Sequence, residues 1–213
     1  MANDLKCLIQ KALEPSPWDL GNKVLYDLCA NHPYHNSEDA IIAKLWLIGR
    51  SYAAAIERRK NKEQQNDDFY INRVAPIVKN SRIDEWLDNL SEINNIELEN
   101  VDAILETHQR VMLLFELISG LEKRALTSKY LHFHFPNLFY IYDSRACLGI
   151  KKFNKIIGRS SRNRNVGDNE YRKLFEKCVR LQEHIRGEYG ISMNPRQIDN
   201  VLLFAFETIK PRH

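Results

Sequence analysis

The chain has 213 residues, 44% of them apolar and 28% charged, and its 31 Lys and Arg nearly balance its 28 Asp and Glu to leave a net charge of +3. A chain of this kind buries a real core as one domain or two small ones, which excludes collagen-like, low-complexity and intrinsically disordered classes. No apolar run reaches the length of a membrane span, and Met1-Ala2-Asn3-Asp4-Leu5-Lys6 lacks the order of a secretory signal. A cytoplasmic protein with no membrane partner is therefore expected.

The 8 Gly and 7 Pro lie between periodic segments rather than within them, which favours helices over a turn-rich strand fold. Short helices are predicted over Leu5 to Leu13 and Gly21 to Ala30. A long one follows from Ser37, through Ile41, Leu45, Ile48, Tyr52, Ala55 and Ile56, to Arg58-Arg59-Lys60. Its acidic start and basic end suit the helix dipole, and Trp46 and Tyr52 on it read as core. Further helices are expected at Ile83 to Leu90, from Val101 to Ile118, at Leu121 to Phe135, along Tyr171 to Ile185, and from Ile198 to Ile209 behind an Asn194-Pro195 start. The fold class is thus all-α, a compact multi-helix domain. No fixed-period repeat and no Pro, Ser or Gly linker divides residues 1–213, so a single domain is expected, with a cleft between two sub-lobes.

Cys7, Cys29, Cys147 and Cys178 contain no C-x-x-C pair and no spacing that closes a zinc or iron-sulfur site, so no metal and no cofactor is expected. Cys178 falls on the apolar side of its helix and reads as a buried thiol. His132 and His134, two apart on a helix, point in different directions and do not make a metal pair.

Charge is unevenly distributed. Ile83 to Gln109 holds eight acidic residues and no Lys or Arg, a stretch that should avoid polyanions. From Ser144 to Gly167 the pattern inverts, with Arg145, Lys151, Lys152, Lys155, Arg159, Arg162 and Arg164 and no acidic residue. The glycines and serines there suit a loop that holds phosphates by charge and exposed amides, and they suit a solvated basic loop equally.

The chemistry-bearing stretch is Arg124-Ala-Leu-Thr-Ser-Lys129-Tyr-Leu-His132-Phe-His134-Phe-Pro136, followed by an apolar run into Tyr142-Asp143-Ser144-Arg145. Lys129 has Ala125, Leu126, His132 and Phe133 as helical neighbours, a setting that desolvates an amine and lowers its pKa. Asp143 is placed to cap the next helix and to face a developing cation. Taken alone, the same residues also fit a lysine snorkelling past aromatics and an ordinary Asp cap.

This run resembles the signature of the helix-hairpin-helix DNA glycosylase superfamily, in which a hairpin leads into a helix bearing a nucleophilic Lys and an apolar stretch delivers an Asp at the next helix. The likeness is closest to a diverged bacterial group with the 8-oxoguanine glycosylase fold, and Asn194-Pro-Arg-Gln-Ile-Asp-Asn-Val-Leu-Leu-Phe resembles that group's closing helix. The hairpin and catalytic helix would occupy about 117–146. Ala125 and Thr127 stand where the family hairpin has glycines, and the Lys-to-Asp separation (143 minus 129) is 14 residues, shorter than usual in endonuclease III. The resemblance implies base excision on duplex DNA carrying a lesion or abasic site, through a Schiff base on Lys129 assisted by Asp143, with strand nicking by β-elimination. Tyr130, His132, Phe133 and Tyr142 are candidate pocket residues, and Arg145 through Arg164 candidate DNA contacts. A non-catalytic nucleic-acid-binding module on the same scaffold is the alternative that the missing hairpin glycines favour.

Overall fold

The computed structural model describes residues 2–158 and 165–209; Arg159, Arg162 and Arg164 of the basic stretch lie outside them. Among the described residues the protein is all-helical, with no strand and no helix long and apolar enough to cross a membrane. The chain opens with α1 (Ala2–Leu13) and α2 (Pro17–Asn31). Pro17 at the first position and the Asp19 carboxylate, which accepts from the Ser16 amide at 2.8 Å, set the start of α2.

Helix α3 (Glu38–Ser51) begins at Ser37, as expected, with the hydroxyl accepting from the Ala40 amide. It ends nine residues before Lys60, the predicted end (60 minus 51). There the chain folds back on itself: Ala53 takes a φ of +51°, and the Ala54 amide donates to the Gly49 carbonyl at 2.7 Å. A glycine suits that closeness, since a Cβ on Gly49 would stand 3.0 Å from the Ala55 Cα, tight enough that the backbone would have to give by a few tenths of an ångström. Trp46, expected in the core, is exposed, with the Arg50 guanidinium 4.7 Å from its ring centre. The tertiary reversal overrides the helix propensity of Ala53-Ala54-Ala55.

The next helical stretch runs through α4 (Asn66–Phe69), a π-turn (Tyr70–Val74) and α5 (Ala75–Lys79), and was not legible in the apolar pattern. Pro76 has no amide for a regular helical bond, and the wide turn lies immediately before it. Helices α6 (Ile83–Asp88) and α7 (Val101–Ser119) follow, the latter closed by Gly120 at φ +70°.

Helix α8 (Arg124–His134) is the axis of the molecule: every residue from Leu126 to Phe133 is buried. A helix apolar on one face alone would not be enclosed this way; most of its polar side chains are paired inside, with Thr127 Oγ1 and His134 Nε2 left without a hydrogen bond. Ala125 and Thr127 lie within α8, so the hairpin expected at those positions is not there; the turn before the helix is Gly120–Lys123. Beyond the apolar run Leu138–Ile141 come α9 (Ser144–Gly149), a 3-10 turn (Ile150–Phe153) and α10 (Asn154–Ile157). The basic stretch read as a loop is thus helical as far as Ile157. Helices α11 (Asn169–Tyr189) and α12 (Pro195–Ile209) complete the fold. Where α9 crosses α12, a Cβ on Gly149 would stand 2.1 Å from the Leu202 carbonyl oxygen, so the two backbones touch through a glycine.

Candidate functional site

Asp143 occupies the position expected from the sequence, as the N-cap of α9, with Oδ1 accepting from the Ala146 amide at 2.9 Å. Its carboxylate is largely enclosed, and the Arg145 guanidinium stands 3.8 Å away. Helix α8 holds the residue just before it from both sides. Ser128 Oγ accepts from the Tyr142 amide at 2.9 Å, and Lys129 Nζ donates to the Tyr142 carbonyl at 3.1 Å. The Ser128-Lys129 pair thereby clamps the Tyr142 backbone at both its amide and its carbonyl and brings the Lys129 amine alongside Asp143.

Lys129 is 1% exposed. Burial pushes its pKa below the ordinary lysine value, and the carboxylates of Asp143 and Asp199 partly restore it. Its amine lies 5.9 Å from the centre of the Tyr52 ring, at the C-cap of α3. Tyr52 donates to Asn22 Oδ1 at 2.7 Å, while Tyr26 on α2 donates to His132 Nε2 at 2.7 Å. His132 Nδ1 in turn donates to the Phe139 carbonyl at 2.8 Å, which fixes the tautomer. Burial lowers the His132 pKa to about 4, so the ring is neutral at pH 7.

Helix α12 supplies the rest. Arg196 Nη1 donates to Asp199 Oδ2 at 2.6 Å, and both residues are largely or wholly buried. Burial raises the Asp199 pKa to about 6 despite Arg196, and the charges of Asp143 and Lys129 act on it as well. Three buried polar atoms of this group have no hydrogen-bond partner: Asn22 Nδ2, Arg196 Nε and Asp199 Oδ1. Two donors and one acceptor thus stand without partners beside a desolvated amine, in a buried polar cluster, here termed the chamber, whose hydrogen bonding is incomplete.

The candidate pocket residues separate. His132 belongs to the chamber, and Phe133 backs it, its ring centre 5.6 Å from Tyr52 and 4.8 Å from Tyr26. Tyr142 is half-buried at the edge, with the Arg124 guanidinium 5.6 Å from its ring centre. Tyr130 faces elsewhere. Its hydroxyl donates to His35 Nε2 at 2.5 Å in a second buried cluster, where His35 Nδ1 meets Asp84 at 2.5 Å and the wholly buried Lys44 also reaches His35. His134 stacks on His35 in that cluster, so His132 and His134 serve different networks.

Among the basic candidates, Arg145, Lys151 and Lys155 are exposed. Lys152 is engaged, 2.8 Å from both Asp4 and Thr208, and ties the 3-10 turn to α1 and α12. Asn22, Tyr26, Tyr52, Arg196 and Asp199 were not singled out as site residues from the sequence. Asp199 carried a usable signal, a carboxylate beside Ile198 and one turn before Leu202 on the apolar face of a helix. Comparison of the chain with protein-family models, curated proteins and solved structures returns no match.

Proposed function

We propose that the protein is a DNA N-glycosylase with abasic-site lyase activity, acting through Lys129 with Asp143 as the assisting carboxylate. The observation that carries this reading is the desolvated Lys129 amine, held one residue from a helix-capping Asp and beside a second buried carboxylate. Desolvation makes the neutral, nucleophilic amine accessible nearer pH 7. In the proposed reaction the amine attacks C1′ of a flipped nucleotide and loses a proton. The glycosidic bond breaks with its electron pair going to the base, which takes up a proton. Asp143 faces the positive charge that develops at the sugar. The C1′–O4′ bond then breaks with its pair going to O4′, which takes up a proton, and the nitrogen lone pair forms the protonated imine. Loss of a C2′ proton then expels the 3′-phosphate with its bonding pair.

Borohydride reduction in the presence of duplex DNA carrying an abasic site or 8-oxoguanine tests this directly. The expected result is a covalent adduct that disappears in Lys129→Gln. A second reading, a non-catalytic nucleic-acid-binding module, is favoured by the near-complete burial of Lys129 and its structural bond to the Tyr142 carbonyl. Salt-sensitive DNA binding with no adduct on any lesion would select it.

A further inference from the structure

The chain between α3 and α4 is irregular but built. Arg59, 7% exposed, turns inward and donates to the Glu57 carbonyl at 3.0 Å, to Asn66 Oδ1 at 2.9 Å and to the Gln64 carbonyl, with its guanidinium 4.1 Å from the centre of the Phe69 ring. Lys123, just before α8, donates from beneath to the carbonyls of Ala55 and Arg58. The Lys60 amide is bound to the Ser119 carbonyl at 2.8 Å, and the Lys60 stem lies over Gly120. The segment 57–66 is therefore wrapped around one buried guanidinium and fastened onto the turn between α7 and α8.

That fastening has two consequences. It covers the turn whose backbone would otherwise be free, and it directs Arg58, Lys60 and Lys62 outward. All three are exposed and none has an ion-pair partner among the described residues. Beside them lies a cleft of about 720 Å³ lined by Arg59, Lys60, Lys62, Arg73, Phe69 and Leu117 among others, and adjoining it a second of about 610 Å³ that adds Arg58 and Leu121. The two acids on these walls do not cancel the charge. Glu57 is already bound to Arg50 at 3.0 Å and to the Tyr70 hydroxyl at 2.5 Å, leaving Glu63 against the cations. Leu117 and Leu121 are exposed and give the cleft an apolar floor.

We infer that this double cleft binds the phosphodiester backbone of nucleic acid, with Arg58, Lys60 and Lys62 neutralising phosphates and the apolar floor meeting sugars. The inference rests on the DNA reading of the Lys129 site, and it places the main backbone contact here rather than on the basic stretch after Asp143.

Fluorescence anisotropy of the full chain with an undamaged duplex, titrated over a range of salt, tests the cleft without requiring any chemistry at Lys129. In Arg58→Gln/Lys60→Gln/Lys62→Gln the expected result is at least about tenfold weaker binding, with the slope of log K against log salt smaller by about 2–3 because three phosphate contacts are lost. The single variant Lys62→Gln, which removes no hydrogen bond of the fold, should reduce the slope by about 1. Arg145→Gln/Lys151→Gln/Lys155→Gln should change it less than the cleft triple variant. An unchanged slope in both cleft variants overturns the inference, whether or not Lys129 forms an adduct. Tighter binding of inorganic pyrophosphate than of duplex by the wild-type chain also overturns it, by assigning the cleft to a small polyphosphate.

Discussion

Lys129 performs two tasks that oppose each other. Its amine is the bond that holds the Tyr142 carbonyl, yet an ammonium in this setting is costly because it has left water. Replacement by Met removes the buried charge and fills the space, at the expense of an unpaired carbonyl. Lys129→Met should thus fold, with stability at pH 7 within about 1–2 kcal/mol of wild type, while losing any borohydride adduct. The pH dependence has a definite sign. Because the folded pKa lies below the unfolded one, the native state holds fewer protons in that window, and this residue makes stability rise with pH through it. Thermal melts between pH 7 and 10 should show a shallower rise in Lys129→Met than in wild type; an identical profile would mean that the amine is not desolvated in solution.

Asp199 gives the opposite sign at lower pH. Its folded pKa of about 6 lies above the unfolded value near 4, so the native state binds more protons between them and stability falls as pH rises through that window. The contribution is at most about 3 kcal/mol for a shift of this size. Asp199→Asn should remove this falling component. It should also weaken excision if the open Oδ1 faces substrate, and a variant with full excision would return Asp199 to a purely structural pairing with Arg196.

Among the elements, the crossing of α9 and α12 decides where Asp143 stands, because α9 begins at that residue. Gly149→Ala would drive a Cβ into the Leu202 carbonyl, which is backbone and cannot rotate away. The expected loss is about 1–3 kcal/mol or more, accompanied by reduced activity as the cap shifts. Gly187→Ala is the control: it lies inside α11 with open space around it, and should stabilise by about 0.5–1 kcal/mol. Equal melting temperatures for the two variants would contradict the close crossing.

Elements also show how far the sequence could be read. The amphipathic segments of α1, α2, α7, α11 and α12 were legible because their apolar spacing is local, and Asp143 was legible as a cap for the same reason. The early end of α3 was not, since it depends on Gly49 meeting Ala55 and not on any breaker. How far the helical turns run beyond the Asp143 cap, to Ile157, was hidden by a basic, glycine-containing composition that resembles a loop. The chamber residues of α2 and α12 were missed because they are brought to Lys129 only by packing, across more than 60 residues of chain in the case of α12 (196 minus 129,).

At the scale of the whole molecule, buried histidines govern acid stability. Burial lowers His35 to about 4, His108 to about 3 and His132 to about 4. Each is neutral in the native state and must take a proton on unfolding below pH 6.5, so stability rises with pH between about 4 and 6.5. His134 is pushed down by burial in the same way, and these four groups outweigh the opposing contribution of Asp199. The melting temperature should therefore fall as pH is lowered from 6.5 to 4; a flat or rising profile would contradict the burial of these rings.

In the proposed reaction Lys129 attacks the sugar of a nucleotide beside the buried pair Asp199 and Arg196. Peptide mapping by mass spectrometry of the chain after borohydride reduction with an abasic duplex locates the attacking amine. A deoxyribose remnant is expected on the peptide containing Lys129, and on no other lysine. A remnant on an exposed lysine such as Lys151, or none at all while duplex binding persists, would contradict the proposed reaction.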